Sequence, residues 1–492
     1  MTNPPPNTAI IPPERNSESA TGGALGAPMR RRDFLASLLA AAAAGCSGLD
    51  RLASVQTQSQ SRPNVILIYI DDLGYADLGC QGAADLKTPN IDSLAHSGVR
   101  FTSGYVTAPL CSPSRAGLMT GRYQQRFGHE HNTGNPARML EDDIGAPTSE
   151  IMVSDLLKSV GYATGCVGKW HLGVRDKYHP LNRGFDEYFG HLGGAHSYLD
   201  WGDTGWGEIL RGMKPAQATS AGGDEYLTDA FSREAVSFIQ RHQRRPFFLY
   251  LAYNAVHTPM QAPQKYLDRF PGIADPKRRT LAAMLSAVDD GVGQILAALR
   301  DAGVEDDTLI FCISDNGGPT NANASLNVPL NGRKGSMLDG GIRVPFIVRR
   351  PARLPAGLVY DHPVSTLDVL PTALAAAGKD LPRDRIIDGV DLTPFLTGEK
   401  KGVPHDVLFW RMGPRYAVRK GEWKLVQERT GGQALFDLSA DIGETKDLAR
   451  ERPEKLKELL DDHARWDSQM VDALWQWHTA DTAPRQARPQ QR

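Results

Sequence analysis

Four short runs along the chain are apolar and rich in β-branched or aromatic residues without strict alternation: 64–70 (NVILIYI), 162–167 (YATGCV), 246–252 (PFFLYLA) and 308–314 (TLIFCIS). A strand covered on both faces reads this way, as in a parallel sheet between helical layers, whereas a half-exposed strand alternates. Between the runs lie stretches with helical spacing, among them 151–160, with Ser149 as candidate N-cap, and 281–302. Strands alternating with helices predict an α/β fold with a mainly parallel central sheet flanked by helices. From about residue 385 the pattern changes to short runs at 407–410, 416–419, 423–426 and 434–438, separated by glycine-containing turns. These predict a smaller C-terminal antiparallel sheet, and 453–477 then shows helical spacing.

Each apolar run leads to a polar cluster. The first stops at Asp71-Asp72, the last at Asp315-Asn316-Gly317-Gly318, and the other two reach Lys169-Trp170-His171 and Asn254-Ala255-Val256-His257. Ligands on open parallel sheets bind outside the carboxyl ends of the strands, where all four clusters fall. Asp71, Asp72, Asp315 and Asn316 offer only oxygen, which suits a hard cation, Ca²⁺ first and Mg²⁺ second. Asp71-Asp72 or Asp315-Asn316-Gly317 alone reads more readily as a strand-end turn. Together they need a cation or basic partners to offset their repulsion. The segment 110–122 (LCSPSRAGLMTGR) has proline where a first helical turn tolerates it, which places Cys111 near a helix N-terminus. Amide N–H groups there favour an oxyanion, and they would equally favour a thiolate, so a plain reactive cysteine is the local alternative.

Composition narrows the class. With 492 residues, 41% hydrophobic and 23% charged, the chain reads as a folded soluble body of two or three domains. Lys and Arg total 55 against 57 Asp and Glu, a net charge of −2 that gives no reason to expect nucleic acid as a partner. The cysteines Cys46, Cys80, Cys111, Cys166 and Cys312 are scattered without CxxC spacing, so neither a zinc ribbon nor a disulfide framework is indicated. Cys80, Cys166 and Cys312 read as buried thiols. Near the N-terminus, Arg30-Arg31-Arg32-Asp33 precedes an apolar stretch at 35–45 that is too short to span a bilayer. Residues 1–46 therefore read as an export signal resembling the twin-arginine type, giving a periplasmic or lipid-anchored protein. Ala43-Ala44-Gly45-Cys46 resembles a lipoprotein processing site, with Ala in place of the usual Leu, so membrane contact is expected only through a lipid at Cys46. Residues 47–62 read as a polar linker and 479–492 as a disordered tail.

Cys111-Ser112-Pro113-Ser114-Arg115 matches the C-x-P-S-R signature, and the chain resembles the type I, formylglycine-dependent sulfatases (arylsulfatase-like) of the alkaline phosphatase superfamily. The likeness extends through Thr120-Gly121-Arg122, Asp71-Asp72, 168–173 (GKWHLG), His257-Thr258-Pro259, 315–318 (DNGG), Lys334-Gly335 and 340–345 (GGIRVP), and covers about 62 to 450. A chance coincidence of so many segments in this order is remote.

The resemblance implies an alkaline phosphatase-like catalytic domain at 63–384 and a C-terminal subdomain of antiparallel sheet plus helix at 385–478. It implies that a formylglycine-generating maturation enzyme oxidises Cys111, and that the hydrated aldehyde attacks sulfur. Asp71, Asp72, Asp315, Asn316 and residue 111 (Cys111) carry over as metal ligands, and Arg115 and Lys169 as groups that stabilise the hydrate. His171 carries over as the group that takes its proton, and His257 and Lys334 as contacts to the sulfate and the departing alcohol. The implied substrate is a sulfated carbohydrate or an aryl sulfate. His196, in a Gly- and Trp-rich stretch, and 129–132 (HEHN) are candidate sugar contacts that read equally well as loop packing. A phosphoester or phosphonate hydrolase of the same superfamily is the second reading, and a noncatalytic glycan-binding protein the third.

Overall fold

All seven residues of β1 (Asn64–Ile70) are buried. Val65, Leu67 and Tyr69 enter one hydrophobic cluster, and Ile66, Ile68 and Ile70 enter the other, so the strand needs apolar side chains on both faces. The computed structural model describes residues 62–203, 205–217, 225–429 and 432–476. The expected export signal, Cys46, nearly all of the linker and the tail lie outside the described residues.

The further strands of the main body are β2 (Val99–Phe101), β3 (Gly104–Tyr105), β4 (Ala163–Lys169), β5 (Glu187–His191), β6 (Leu210–Arg211), β7 (Lys214–Pro215), β8 (Phe247–Tyr253), β9 (Thr308–Ser314), β10 (Phe346–Arg349), β11 (Leu358–Tyr360) and β12 (Val364–Ser365). Among the described residues, ten of these strands join one sheet in the order β11-β2-β10-β9-β1-β8-β4-β5-β6-β7. Its centre, β9-β1-β8-β4-β5, is parallel, and β10, β6 and β7 add antiparallel pairings towards the edges. Ile70 lies opposite both Tyr253 and Ser314, so Asp71, Asn254 and Asp315 leave the sheet at the same edge. Helices Leu227–His242 and Pro276–Asp301 cover one face. Helices Cys111–Thr120, Val153–Lys158 and Val369–Ala376 cover the other.

The C-terminal strands β13 (Val407–Met412), β14 (Arg415–Lys420), β15 (Trp423–Arg429) and β16 (Gly432–Asp437) form an antiparallel meander, as the turn spacing predicts. Trp410, Met412, Ala417, Val426 and Phe436 on one face join the core of the main body, while Val418, Leu425 and Leu435 pack with Leu459 of helix Pro453–Asp467. Buried Lys424 fastens this sheet to the body, its Nζ lying 2.6 Å from Asp339 Oδ1 and 2.7 Å from Glu444 Oε1.

Boundaries differ from the sequence reading where capping groups decide them. The helix expected at 151–160 is Val153–Lys158, and its cap is not Ser149: the Met152 N–H donates to Asp155 Oδ2 at 3.0 Å. The long helix starts at Pro276 rather than 281, because Asp275 accepts the Lys277 N–H and Pro276 takes the first turn. The last helix ends at Asp467, not 477. Beyond it, the Val471 and Leu474 amides donate to Gln125 O and Gly128 O, so the chain straps across the body instead of continuing its own ladder.

One pH-dependent pair sits on the turn 366–368, which packs against the Cys111 helix. His405 Nε2 lies 2.8 Å from Asp368 Oδ1, and although burial disfavours the charged ring, Asp368 wins and raises the His405 pKa. The imidazolium is favoured in the folded state, so its contribution is full below the unfolded value of about 6.5 and is lost as pH rises through the raised folded value. In urea unfolding between pH 5.5 and 9, the stability that wild type holds over His405→Gln is expected to shrink as pH rises, the difference isolating His405 from the buried neutral histidines, whose contribution has the opposite sign. Identical slopes in the two proteins would exclude this pair.

Candidate active site

Every residue of the helix Cys111–Thr120 is buried. Its first residue is Cys111, preceded by extended Leu110, and it ends at Gly121 in the left-handed conformation (φ +64°), which favours glycine. The carboxyl ends of β1 and β9 converge on this first turn. Cys111 Sγ lies 3.5 Å from Asp71 Oδ1 and 3.1 Å from Lys334 Nζ. Asp72 accepts from Lys334 Nζ at 2.6 Å and from Asn316 Nδ2 at 2.7 Å, and its own N–H donates to Asp315 Oδ1 at 3.1 Å. Gly317 lets the 315–318 turn pass close to the chain opposite, since a Cβ there would fall 1.9 Å from Gly340 O.

Two cations lie behind this turn, both fully buried. Arg115 donates to Asp315 Oδ2 at 2.9 Å, to Tyr250 Oη at 3.1 Å and to Lys169 O at 3.1 Å, and stacks over Tyr69. Lys169 is the last residue of β4 rather than a loop residue beyond it, and its Nζ donates to Asp71 Oδ2 at 2.6 Å. Burial pushes the Asp71 carboxyl up, and Lys169 and His257 more than offset that, holding it down at about 2. Burial and the neighbouring Asp315 push the Cys111 thiol well above its ordinary value. The plain thiolate nucleophile that a helix N-terminus would favour is therefore opposed here by its surroundings.

His171 and Asp72 both adopt left-handed backbone (φ +60° and +63°), a strained choice for such residues that recurs at functional sites. His171 is buried with no partner on Nδ1, and burial followed by Lys169 pushes its pKa well down. His257 donates through Nδ1 to Thr258 O at 2.6 Å, which leaves Nε2 3.6 Å from Asp72 Oδ2. Asp71, Asp72, Cys111 and His257 present ligand atoms that all lie within 4.8 Å of one another. Asn316 Oδ1 is buried without a hydrogen-bond partner, an acceptor left over beside three carboxylates. That donor set, mostly hard oxygen, fits a divalent cation such as Ca²⁺.

The fold thus brings together Asp71, Asp72, Cys111, Arg115, Lys169, His171, His257, Asp315, Asn316 and Lys334. His196 is 1% exposed, with Nδ1 2.8 Å from Ser197 O and its ring against His191; the sequence expects a sugar contact here and the structure places it beneath the surface. The segment 129–132 braces the Cys111 helix. His129 Nε2 lies 2.7 Å from Ser112 Oγ, Asn132 Oδ1 accepts the Ser112 N–H, and Glu130 pairs with Arg411. Sequence reasoning missed Tyr250 and Trp475. Tyr250 sits inside an apolar strand that reads as core, and Trp475, which donates to Asn132 O at 3.0 Å, falls in a stretch that reads as helix.

Residues 63–379 match the model of the Sulfatase family, and 333–465 match that of the N-sulphoglucosamine sulphohydrolase C-terminal region. The dog (Canis lupus familiaris) N-acetylgalactosamine-6-sulfatase is 36% identical over 74% of this chain and 71% of its own. Bovine (Bos taurus) arylsulfatase A is 35% identical over 81% and 86%. Among solved structures, Ps i-CgsB in complex with k-i-k-neocarrahexaose superposes with a TM-score of 0.80 at 37% identity, covering 86% of this chain and 96% of that one. The phosphonate monoester hydrolase of Agrobacterium radiobacter shares the fold, with a TM-score of 0.61 at 20% identity over 83% of this chain and 96% of that one.

Proposed function

The chain belongs to the sulfatase family, type I sulfatases of the alkaline phosphatase superfamily, and from that membership we propose that it removes sulfate from a sulfated carbohydrate with residue 111 as the nucleophile. The observation that carries the reading is the placement of Cys111: first residue of a buried helix, with Asp71 and Lys334 within reach of its side chain. Conversion of Cys111 to formylglycine by a maturation enzyme would supply a hydrated aldehyde: one hydroxyl attacks sulfur, and the second, on losing its proton, expels sulfate and restores the aldehyde, a route that neither a thiol nor a serine offers. Asp71, Asp72, Asp315, Asn316 and residue 111 would hold Ca²⁺, which draws charge off the sulfuryl oxygens.

The remaining roles follow from this chain's own groups. Arg115 and Lys169, clamped by Asp315 and Asp71, keep positive charge fixed beneath residue 111 and require no reorganisation as anionic charge develops there. His171 offers an unpartnered, neutral ring nitrogen able to take a proton. Lys334 and His257 have side chains 15% and 18% exposed, while Asp71, Arg115 and Lys169 are fully buried, so the site opens past these two residues and they meet the departing alcohol. Export by a twin-arginine-type signal, with lipid attachment at Cys46, would place this chemistry at the cell envelope, where sulfated polysaccharide is encountered.

Sulfate release from 4-nitrocatechol sulfate and phosphate release from 4-nitrophenyl phosphate, measured on one preparation, test the sulfate reading: sulfate turnover is expected to dominate, and the reverse order would favour the phosphoester hydrolase. His257→Gln is expected to lower kcat/KM on a sugar sulfate by about 10²-fold or more, the scale of general acid catalysis, and on an activated aryl sulfate by about ten-fold or less. Equal losses on both substrates would remove His257 from the leaving-group side.

A further inference from the structure

We propose that Arg415, with Arg333, forms a second anion subsite beside the sulfate pocket, which holds another sulfate ester of the same glycan chain. The inference rests on the sulfated-carbohydrate reading above and specifies which carbohydrates fit. A substrate whose reacting sulfate sits against Cys111 must leave the site past Lys334 and His257, its exposed members. The β13–β14 hairpin of the C-terminal sheet reaches this same place. Arg415 Nη1 donates to Gly335 O at 2.6 Å, on the residue that follows Lys334, and Lys334 Nζ is itself 3.1 Å from Cys111 Sγ.

Arg415 is under-neutralised. Its nearest carboxylate oxygen, Glu428 Oε2, stands 3.9 Å away, at the edge of ion-pair reach, while Glu428 Oε1 turns to Ser336 Oγ and the Leu338 N–H. The Arg415 side chain is 34% exposed, and with Nη1 donating to Gly335 O and Nη2 only to Met412 Sδ at 3.9 Å, the fork keeps donors for a ligand. Such a fork matches the oxygen spacing of a sulfate better than a lysine's point charge does. Arg333, exposed and immediately before Lys334, has no carboxylate in ion-pair reach among the described residues. The mouth therefore carries more positive charge than one sulfate requires.

An independent sign comes from His131, which is 6% exposed and has no partner on either ring nitrogen. Buried polar groups are rarely left so. The hairpin tip lies over it, since a Cβ on Gly413 would stand 3.8 Å from His131 Cε1. Burial and the neighbouring Arg415 push its pKa down to about 4, so the ring is neutral at neutral pH and Arg415 is the cation of this corner.

The test is calorimetric binding of matched galactan tetrasaccharides carrying one or two sulfates per disaccharide repeat, to wild type, Arg415→Gln and Arg333→Gln. Wild type is expected to bind the doubly sulfated chain at least about ten-fold more tightly, with the preference falling to about three-fold or less in Arg415→Gln and by an intermediate amount in Arg333→Gln, whose exposed side chain leaves folding untouched. Equal affinity of wild type for the two chains, binding to neither, or an unchanged preference in Arg415→Gln overturns the subsite. The sulfatase reading fails by a different sign: no sulfate release from aryl sulfate or from either tetrasaccharide, whatever the binding preference.

Discussion

Cys111→Ala is expected to lower sulfate release by about 10⁴-fold or more, because removing a covalent nucleophile also removes the route through its intermediate. The helix that carries it should persist. Its other nine residues are buried, Gly121 still closes it, and Lys334 keeps its 2.6 Å contact with Asp72. The unfolding midpoint of Cys111→Ala is therefore expected within a few degrees of wild type, roughly the shift that 1 kcal/mol produces in a domain of this size. Activity above about one per cent of wild type in this variant would move the nucleophile elsewhere. A variant that loses activity only because it unfolds would show it in the same melting curve.

The largest expected loss of stability comes from Lys424→Met. Lys424 is fully buried and stands between the carboxylates of Asp339 and Glu444, and Asp339 also holds Arg343 and accepts from Tyr105 Oη at 2.8 Å. Burial acts to raise the Asp339 pKa, and Lys424 and Arg343 more than reverse this, keeping it ionised. Removing the ammonium leaves Asp339 and Glu444 buried side by side without it, and Glu444, which burial already raises to about 7, then takes up a proton; breaking a buried pair of this kind typically costs about 3–5 kcal/mol. The measurement is the urea midpoint of Lys424→Met against wild type. Adding Glu444→Gln to that variant is expected to restore part of the loss, because the amide needs neither the lysine nor a proton to stay neutral beside Asp339. A single variant within about 0.5 kcal/mol of wild type would show that the C-terminal sheet does not depend on this buried cation.

The parallel centre of the fold is legible in the sequence because both faces of β1 and β9 are buried, and residues such as Ile66 and Leu67 record this directly. The acidic residues at the strand ends are legible for the same reason: Asp71 and Asp315 mark where an apolar run stops, and the sheet puts those stops at one edge. Groups that act across long separations leave no such mark. Tyr250 reads as one more aromatic in a core strand until Arg115 is seen against its hydroxyl. Arg415 belongs to a hairpin tip that nothing local connects to Gly335, and His131 looks like loop polarity until both ring nitrogens prove unpaired. Trp475 continues a helical spacing, yet the amides around it bond to 125–128 instead, so tertiary contact overrode the local pattern.

Formylglycine at position 111 is the claim on which the mechanism turns. Peptide mass spectrometry across Cys111, on protein purified from its native host, measures it directly when paired with a sulfate-release assay on the same sample. The account predicts the aldehyde mass at residue 111 in a preparation that releases sulfate, with specific activity rising in proportion to the converted fraction. An active preparation carrying only the unmodified thiol would contradict it.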